Sequence, residues 1–117
     1  MNTTPLIAFC RALPEATEDI KWENNHVFSV HKKMFAVFDP DNDQQVCFKA
    51  TPENFDMLTA QEHIVPAPYV GRYKWVLIEE LEVLPHAMIE DLLHESYRLV
   101  VAKLPAKVRQ SLIENSK

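Results

Sequence analysis

A chain of 117 residues, 47% apolar and 25% charged, has the composition of one ordinary globular domain and not of a disordered segment. Its net charge of −5 excludes a surface coated in positive field, the usual basis of strong non-specific nucleic-acid binding. Two isolated cysteines, Cys10 and Cys47, exclude a disulfide framework and a C-x-x-C metal site.

The start of the chain has neither a basic leader nor a long apolar core, so no signal peptide is expected. No run approaches the roughly 18 apolar residues of a membrane span, and the expected location is the cytoplasm. TTPLIAFCRAL predicts a short helix capped by Thr4, with Pro5 in the first turn, where a missing N–H costs nothing. Leu6, Ile7, Phe9, Cys10 and Leu13 form its apolar stripe, and Pro14 stops it. In EATEDIKWENN, Ile20 and Trp22 alternate with polar residues and Asn24-Asn25 reads as a turn. HVFSV and KMFAVF, β-branched and aromatic runs around His31-Lys32, predict a hairpin. DPDNDQQ is a loop and VCFKA a further strand, in which Cys47 reads as a small buried hydrophobe.

Thr51-Pro52 opens a second helix, PENFDMLTA, with Phe55 and Leu58 one turn apart. VPAPYVGRYKWVLIE, residues 65–79, reads as a proline-stiffened loop leading into a strand. Gly71, the chain's single glycine, permits a positive φ there. Trp75 to Ile78 is an unbroken apolar run, expected as a buried strand with Trp75 in the core. After Pro85, Ile89, Leu92, Leu93, Ser96, Leu99 and Val100 recur at helical spacings. Pro105 ends or kinks that helix, and AKVRQSLIEN forms a last one. No repeat or linker divides residues 1–117, so a single domain is expected. The outline is an α+β fold with helices packed on one largely antiparallel sheet.

Most chemistries lack their residues. A single glycine leaves no phosphate-cradling loop, no dinucleotide fingerprint and no G-x-S-x-G elbow. DPDND resembles the start of a calcium loop. Gln44 stands where that loop needs glycine, however, and Ala50 where it needs a bidentate glutamate. His86, Glu90 and His94 fall four apart on one helix face, but eight residues rise about 12 Å, so both histidines cannot share one ion. Glu15, Glu18, Asp19 and Glu23 read as a wet acidic surface. The sequence therefore predicts no enzyme, no cofactor and no metal.

The basic residues are better placed. Lys32 and Lys33 sit at a hairpin tip, Lys49 ends a strand, and Arg72 and Lys74 flank Tyr73. From Ser96 to Ile113 the chain carries Arg98, Lys103, Lys107 and Arg109 and no acidic residue. Basic residues interleaved with aromatics suit phosphate contact and base stacking. The competing reading is that cations near a helix C-terminus only complement its dipole.

ALPEATEDIKW, HVFSVHKKMFAVF, VCFKATPENFDMLT, VPAPYVGRYKWVLIE and LLHESYRLVVAKLP together resemble the MmcQ/YjbR family of small bacterial proteins, over about Pro5 to Arg109. Pro66-Ala67-Pro68-Tyr69, Trp75-Val76, Ser96-Tyr97 and Lys103-Leu104-Pro105 are the most specific pieces. The resemblance implies a CyaY-like or double-wing fold: helices in one layer against a curved antiparallel sheet. It also implies a DNA-binding role and carries no catalytic residues. The tip His31-Lys32-Lys33 departs from the glycines frequent in relatives, which argues against a tight primed turn. The expectation is a non-catalytic binding protein. DNA is its first partner, met by Lys32, Lys33, Lys49, Tyr69, Arg72 and Lys74, and a protein partner is the alternative.

Overall fold

Apolar alternation along the strands builds one antiparallel sheet in the computed structural model, which describes residues 2–22, 24–68 and 70–115. Its strands are β1 (Ala16–Lys21), β2 (Asn25–Val30), β3 (Lys33–Asp39), β4 (Asn42–Lys49), β5 (Ile64–Pro66) and β6 (Trp75–Ile78). They lie in the order β1-β2-β3-β4-β6-β5. The helices are α1 (Thr4–Arg11), α2 (Pro52–Thr59), α3 (His86–Val101) and α4 (Ala106–Asn115). This is the α+β architecture the sequence predicts.

Register sorts the side chains by face. Phe28, Ala36, Phe48 and Val76 are paired in succession across four strands, and Phe38, Val46, Ile78 and Ile64 form a second row. Both rows are buried in one core. Leu6 of α1, Leu58 of α2, Ile89 and Leu93 of α3, and Leu112 of α4 enter that same core, so the helices share one face of the sheet. A third row, Val27, Val37, Cys47, Leu77 and Val65, alternates with these and faces away from the helices. Ala67, Pro68 and Val70 lie against that far face beside Val37 and Cys47.

Several local expectations change. Helix α1 begins at Thr4 itself. Thr3 is its N-cap residue and makes no side-chain cap bond, and Asn2 Oδ1 accepts from the Thr4 N–H at 2.9 Å. Asn25 is not part of a turn, because it is the first residue of β2 and already pairs with Lys21. The β2–β3 tip is a tight two-residue turn after all. Val30 pairs with Lys33, and His31 and Lys32 take φ of 46° and 68°, the positive values a type I′ turn demands. Glycine is preferred there but not obligatory, since the strand twist on either side dictates the turn.

Gly71 also departs from expectation. It has no positive φ and sits in a single 3₁₀ turn, Gly71–Tyr73, while Lys74 takes the left-handed conformation at φ 69°. The need for glycine is steric, because a Cβ at residue 71 would stand 2.9 Å from Pro66 Cβ. Strand β5 reaches into the stretch the sequence predicts as loop; it is three residues long and ends in Pro66, a residue suited to a sheet edge.

Candidate binding groove and pocket

The antiparallel order brings the start of β3, the end of β4 and the start of β6 to one end of the sheet. Lys33, Lys49 and Trp75 stand at those three positions. The C-terminus of α3 reaches the same end, so Lys103, just past the helix, joins them. The result is an open groove of about 590 Å³ between Lys33, Lys49, Tyr73, Trp75, Lys103 and Leu104. Lys74 lies in an adjoining groove with Lys49, Thr51, Tyr73 and Lys103, its Nζ 4.9 Å from the centre of the Phe55 ring. Tyr73 is 55% exposed.

Among the described residues, no carboxylate comes within 4.0 Å of any of these four lysines. Lys49 titrates below its ordinary value of 10.5, first because it is partly buried and second because the Lys103 ammonium lies beside it. Two like charges are thus left together at this end of the sheet.

Backbone bonds hold this geometry. Ala50 N–H donates to Lys74 O at 2.9 Å, Ala67 N–H to Trp75 O at 3.0 Å, and Lys74 N–H to Gly71 O at 2.9 Å. These contacts fix the loop to β6 and to the end of β4. Thr51 Oγ1 accepts from Asn54 N–H at 3.1 Å and so caps α2 at the groove's margin.

On the far face of the sheet the same loop roofs a second cavity. It has a volume of about 460 Å³ and is lined by Trp22, Met34, Val37, Cys47, Pro68 and Trp75, with Asn25 and Val70 at its sides. Burial pushes the Cys47 thiol up to about 11, so it is a neutral, apolar wall. Trp75 is 8% exposed, as expected of a core residue, but it packs toward this cavity and the loop, away from the helix-side core. Met34, Val70 and Trp75 also line the lysine groove, so cavity and groove adjoin.

Of the six expected contact residues, three converge: Lys33, Lys49 and Lys74. Lys32 is exposed at the hairpin tip and lines neither groove. Tyr69 and the side chain of Arg72 lie outside the described residues. Lys103 joins the groove as the sequence allowed. Arg109 instead follows the dipole reading, since its Nη1 donates to Ala102 O at 3.1 Å at the end of α3. Trp22 and Met34 gave no signal in the sequence, where both read as ordinary strand-forming residues.

The acidic cluster is largely paired. Glu18 contacts both Arg11 and His26 at 2.9 Å, and Glu15 meets His31 at 3.2 Å; Glu23 lies outside the described residues. His86 pairs with Glu90 at 3.2 Å, while His94 packs against the rings of Phe9 and Tyr97. Among the described residues no group of three or more His, Cys, Asp or Glu is placed to hold a metal ion. No described helix is long and apolar enough to cross a membrane.

A family model described as YjbR matches residues 11–99. No curated protein matches the chain. Among solved structures, a Deinococcus radiodurans protein with a DUF419 domain superposes with a TM-score of 0.85 at 24% identity, over 95% of this chain and 87% of that one. A Pseudomonas syringae protein superposes with a TM-score of 0.68 at 21% identity, over 86% of this chain and 99% of that one. Both likenesses concern the fold.

Proposed function

We propose that this chain, which belongs to the YjbR family, is a non-catalytic binding protein whose lysine groove engages the phosphate backbone of DNA. The observation that carries the reading is the grouping of Lys33, Lys49, Lys74 and Lys103, without an acidic partner among the described residues, around the exposed ring of Tyr73. Phosphate contacts supply affinity without sequence information, and a tyrosine beside them offers a stacking face. An acidic protein can still bind this way, because the field at the groove is set by the nearest charges, not by the total. Burial holds both thiols neutral, at about 12 for Cys10 and about 11 for Cys47, so neither cysteine is an activated nucleophile.

Fluorescence anisotropy with labelled duplex and single-stranded DNA at low and physiological salt tests the reading. The expected result is salt-sensitive binding. Its slope against log salt should fall by about 0.7–0.9 for each lysine in Lys33→Gln, Lys49→Gln and Lys103→Gln that removes a phosphate contact. Flat titrations at low salt overturn it.

A protein-interaction module is the second reading, favoured by edge strand β1, where Ile20 is 57% exposed and Trp22, just beyond it, 59%. An exposed edge can accept another strand. Loss of a stoichiometric protein complex on Ile20→Lys, with DNA binding absent throughout, would select it.

A further inference from the structure

We infer that the cavity on the helix-free face of the sheet is a binding site for a small amphipathic anion: a monocarboxylate whose aliphatic or aromatic body fills the cavity and whose charge meets Lys33, Lys49 and Lys103. The inference rests on the lysine groove described above but not on DNA as its occupant.

Three observations lead to this ligand chemistry. The cavity, at about 460 Å³, is within the roughly 300–1,000 Å³ of ordinary small-molecule sites. Among the described residues its walls are aliphatic, aromatic or neutral thiol, with Asn25 the one side-chain amide. A nucleobase carries several donors and acceptors on its edges. One amide would leave most of them buried without partners, which disfavours such a ligand. An apolar body loses nothing there. The cavity also adjoins the lysine groove, with Met34, Val70 and Trp75 lining both, so a ligand whose body lies in the one has its head beside the other. An anion held between Lys49 and Lys103 offsets the repulsion that already lowers Lys49. A neutral ligand of the same shape would leave that repulsion in place.

The chain carries its own reporter, since Trp22 and Trp75 are its only tryptophans and both line the cavity. The full chain is titrated with decanoate, with the neutral decanol and with the short butyrate, followed by tryptophan emission and calorimetry. Decanoate should bind saturably at one site and shift the emission, and decanol and butyrate should bind at least about tenfold more weakly. Lys49→Gln combined with Lys103→Gln should weaken decanoate about tenfold and leave decanol unchanged. Trp22→Ala, at an exposed position that tolerates truncation, should weaken decanoate in calorimetry while DNA affinity stays the same. Non-saturable uptake, equal binding of decanol, or indifference to both variants overturns the inference. The two readings fail separately. DNA binding that decanoate does not disturb, with no decanoate site, sinks the cavity inference alone. A decanoate site with flat DNA titrations sinks the DNA reading alone.

Discussion

The hydroxyl of Ser96 takes the place of a missing rung of the sheet next to Lys49. The β3–β4 pairing ends at Ala36 opposite Phe48, so the next pair in register would join Phe35 to Lys49. The Ser96 hydroxyl stands between them instead, accepting from Lys49 N–H at 2.9 Å and donating to Phe35 O at 2.7 Å. A fully buried serine from α3 thus ties the helix to both strands and sets the backbone from which the Lys49 side chain projects. Ser96→Ala would leave a buried donor and acceptor unpaired and should cost about 1–3 kcal/mol in chemical denaturation. It should also weaken anion binding beyond what the lost stability explains. A variant as stable as the parent would show that water replaces the hydroxyl.

Gly71 makes a second, steric prediction. Because a Cβ there meets Pro66 Cβ at 2.9 Å, Gly71→Ala must push the loop off β5, at about 1–3 kcal/mol. The displaced loop is the roof of the cavity, so decanoate affinity should fall with it. Denaturant midpoints and calorimetry on the same preparation check both effects.

The hairpin tip predicts the opposite sign. Lys32 holds a φ of 68°, a conformation that costs a non-glycine residue about 1–2 kcal/mol. Part of that is returned as chain entropy when glycine is introduced. Lys32→Gly should therefore raise Tm by a small margin. Since Lys32 lines neither groove, DNA affinity should stay constant, whereas Lys33→Gln next to it should lower that affinity.

Acid sensitivity should centre on Glu18. Its carboxyl is held below the ordinary 4.5, chiefly by the hydrogen bond with His26 and also by Arg11, against a smaller opposing effect of burial. A depressed carboxylate contributes stability that is present above its unfolded value and lost as pH falls through the folded one. Stability of the parent should thus decline once pH drops below 4.5. Glu18→Gln should be less stable at neutral pH and should lose less on acidification. Parallel melting curves from both proteins test this.

Lys49 titrates in the opposite sense. Partial burial and Lys103 favour its neutral form, so the folded state gives up this proton more readily than the unfolded chain. Stability should rise as pH climbs through the lowered value toward 10.5. Anion binding should weaken over the same range, with Lys33, Lys74 and Lys103 as the other cations facing the site. Lys103→Gln should reduce binding at neutral pH while stabilising the free protein by about 0.5 kcal/mol or less.

Long periodic elements were legible in the sequence. The stripe from Ile89 to Val100 defined α3, the paired runs around His31-Lys32 defined the β2–β3 hairpin, and Trp75 to Ile78 defined β6. Ser96 was legible in principle, since a polar residue inside an apolar helix stripe must find a buried partner. Its partners, Phe35 and Lys49, depend on how α3 docks, which no local pattern contains. The lysine groove was half legible: Lys33, Lys49 and Lys74 each sat at a strand end, but only the sheet order places those ends together. The cavity was not legible at all. Val37, Cys47 and Leu77 look like the second face of any half-buried strand, and nothing local says that a loop, not a helix layer, lies against them.

The two margins of the sheet are unlike. β5 is three residues long and closes in Pro66, which has no N–H to offer a neighbour, whereas β1 runs six residues without a proline. Strand addition is therefore open on one side only. Two copies meeting through β1 would turn a pair of six-stranded sheets into one of twelve with a β5 at each rim, and growth would end there. Such a pair would be twofold and closed, unlike the endless ribbon that two open margins would permit.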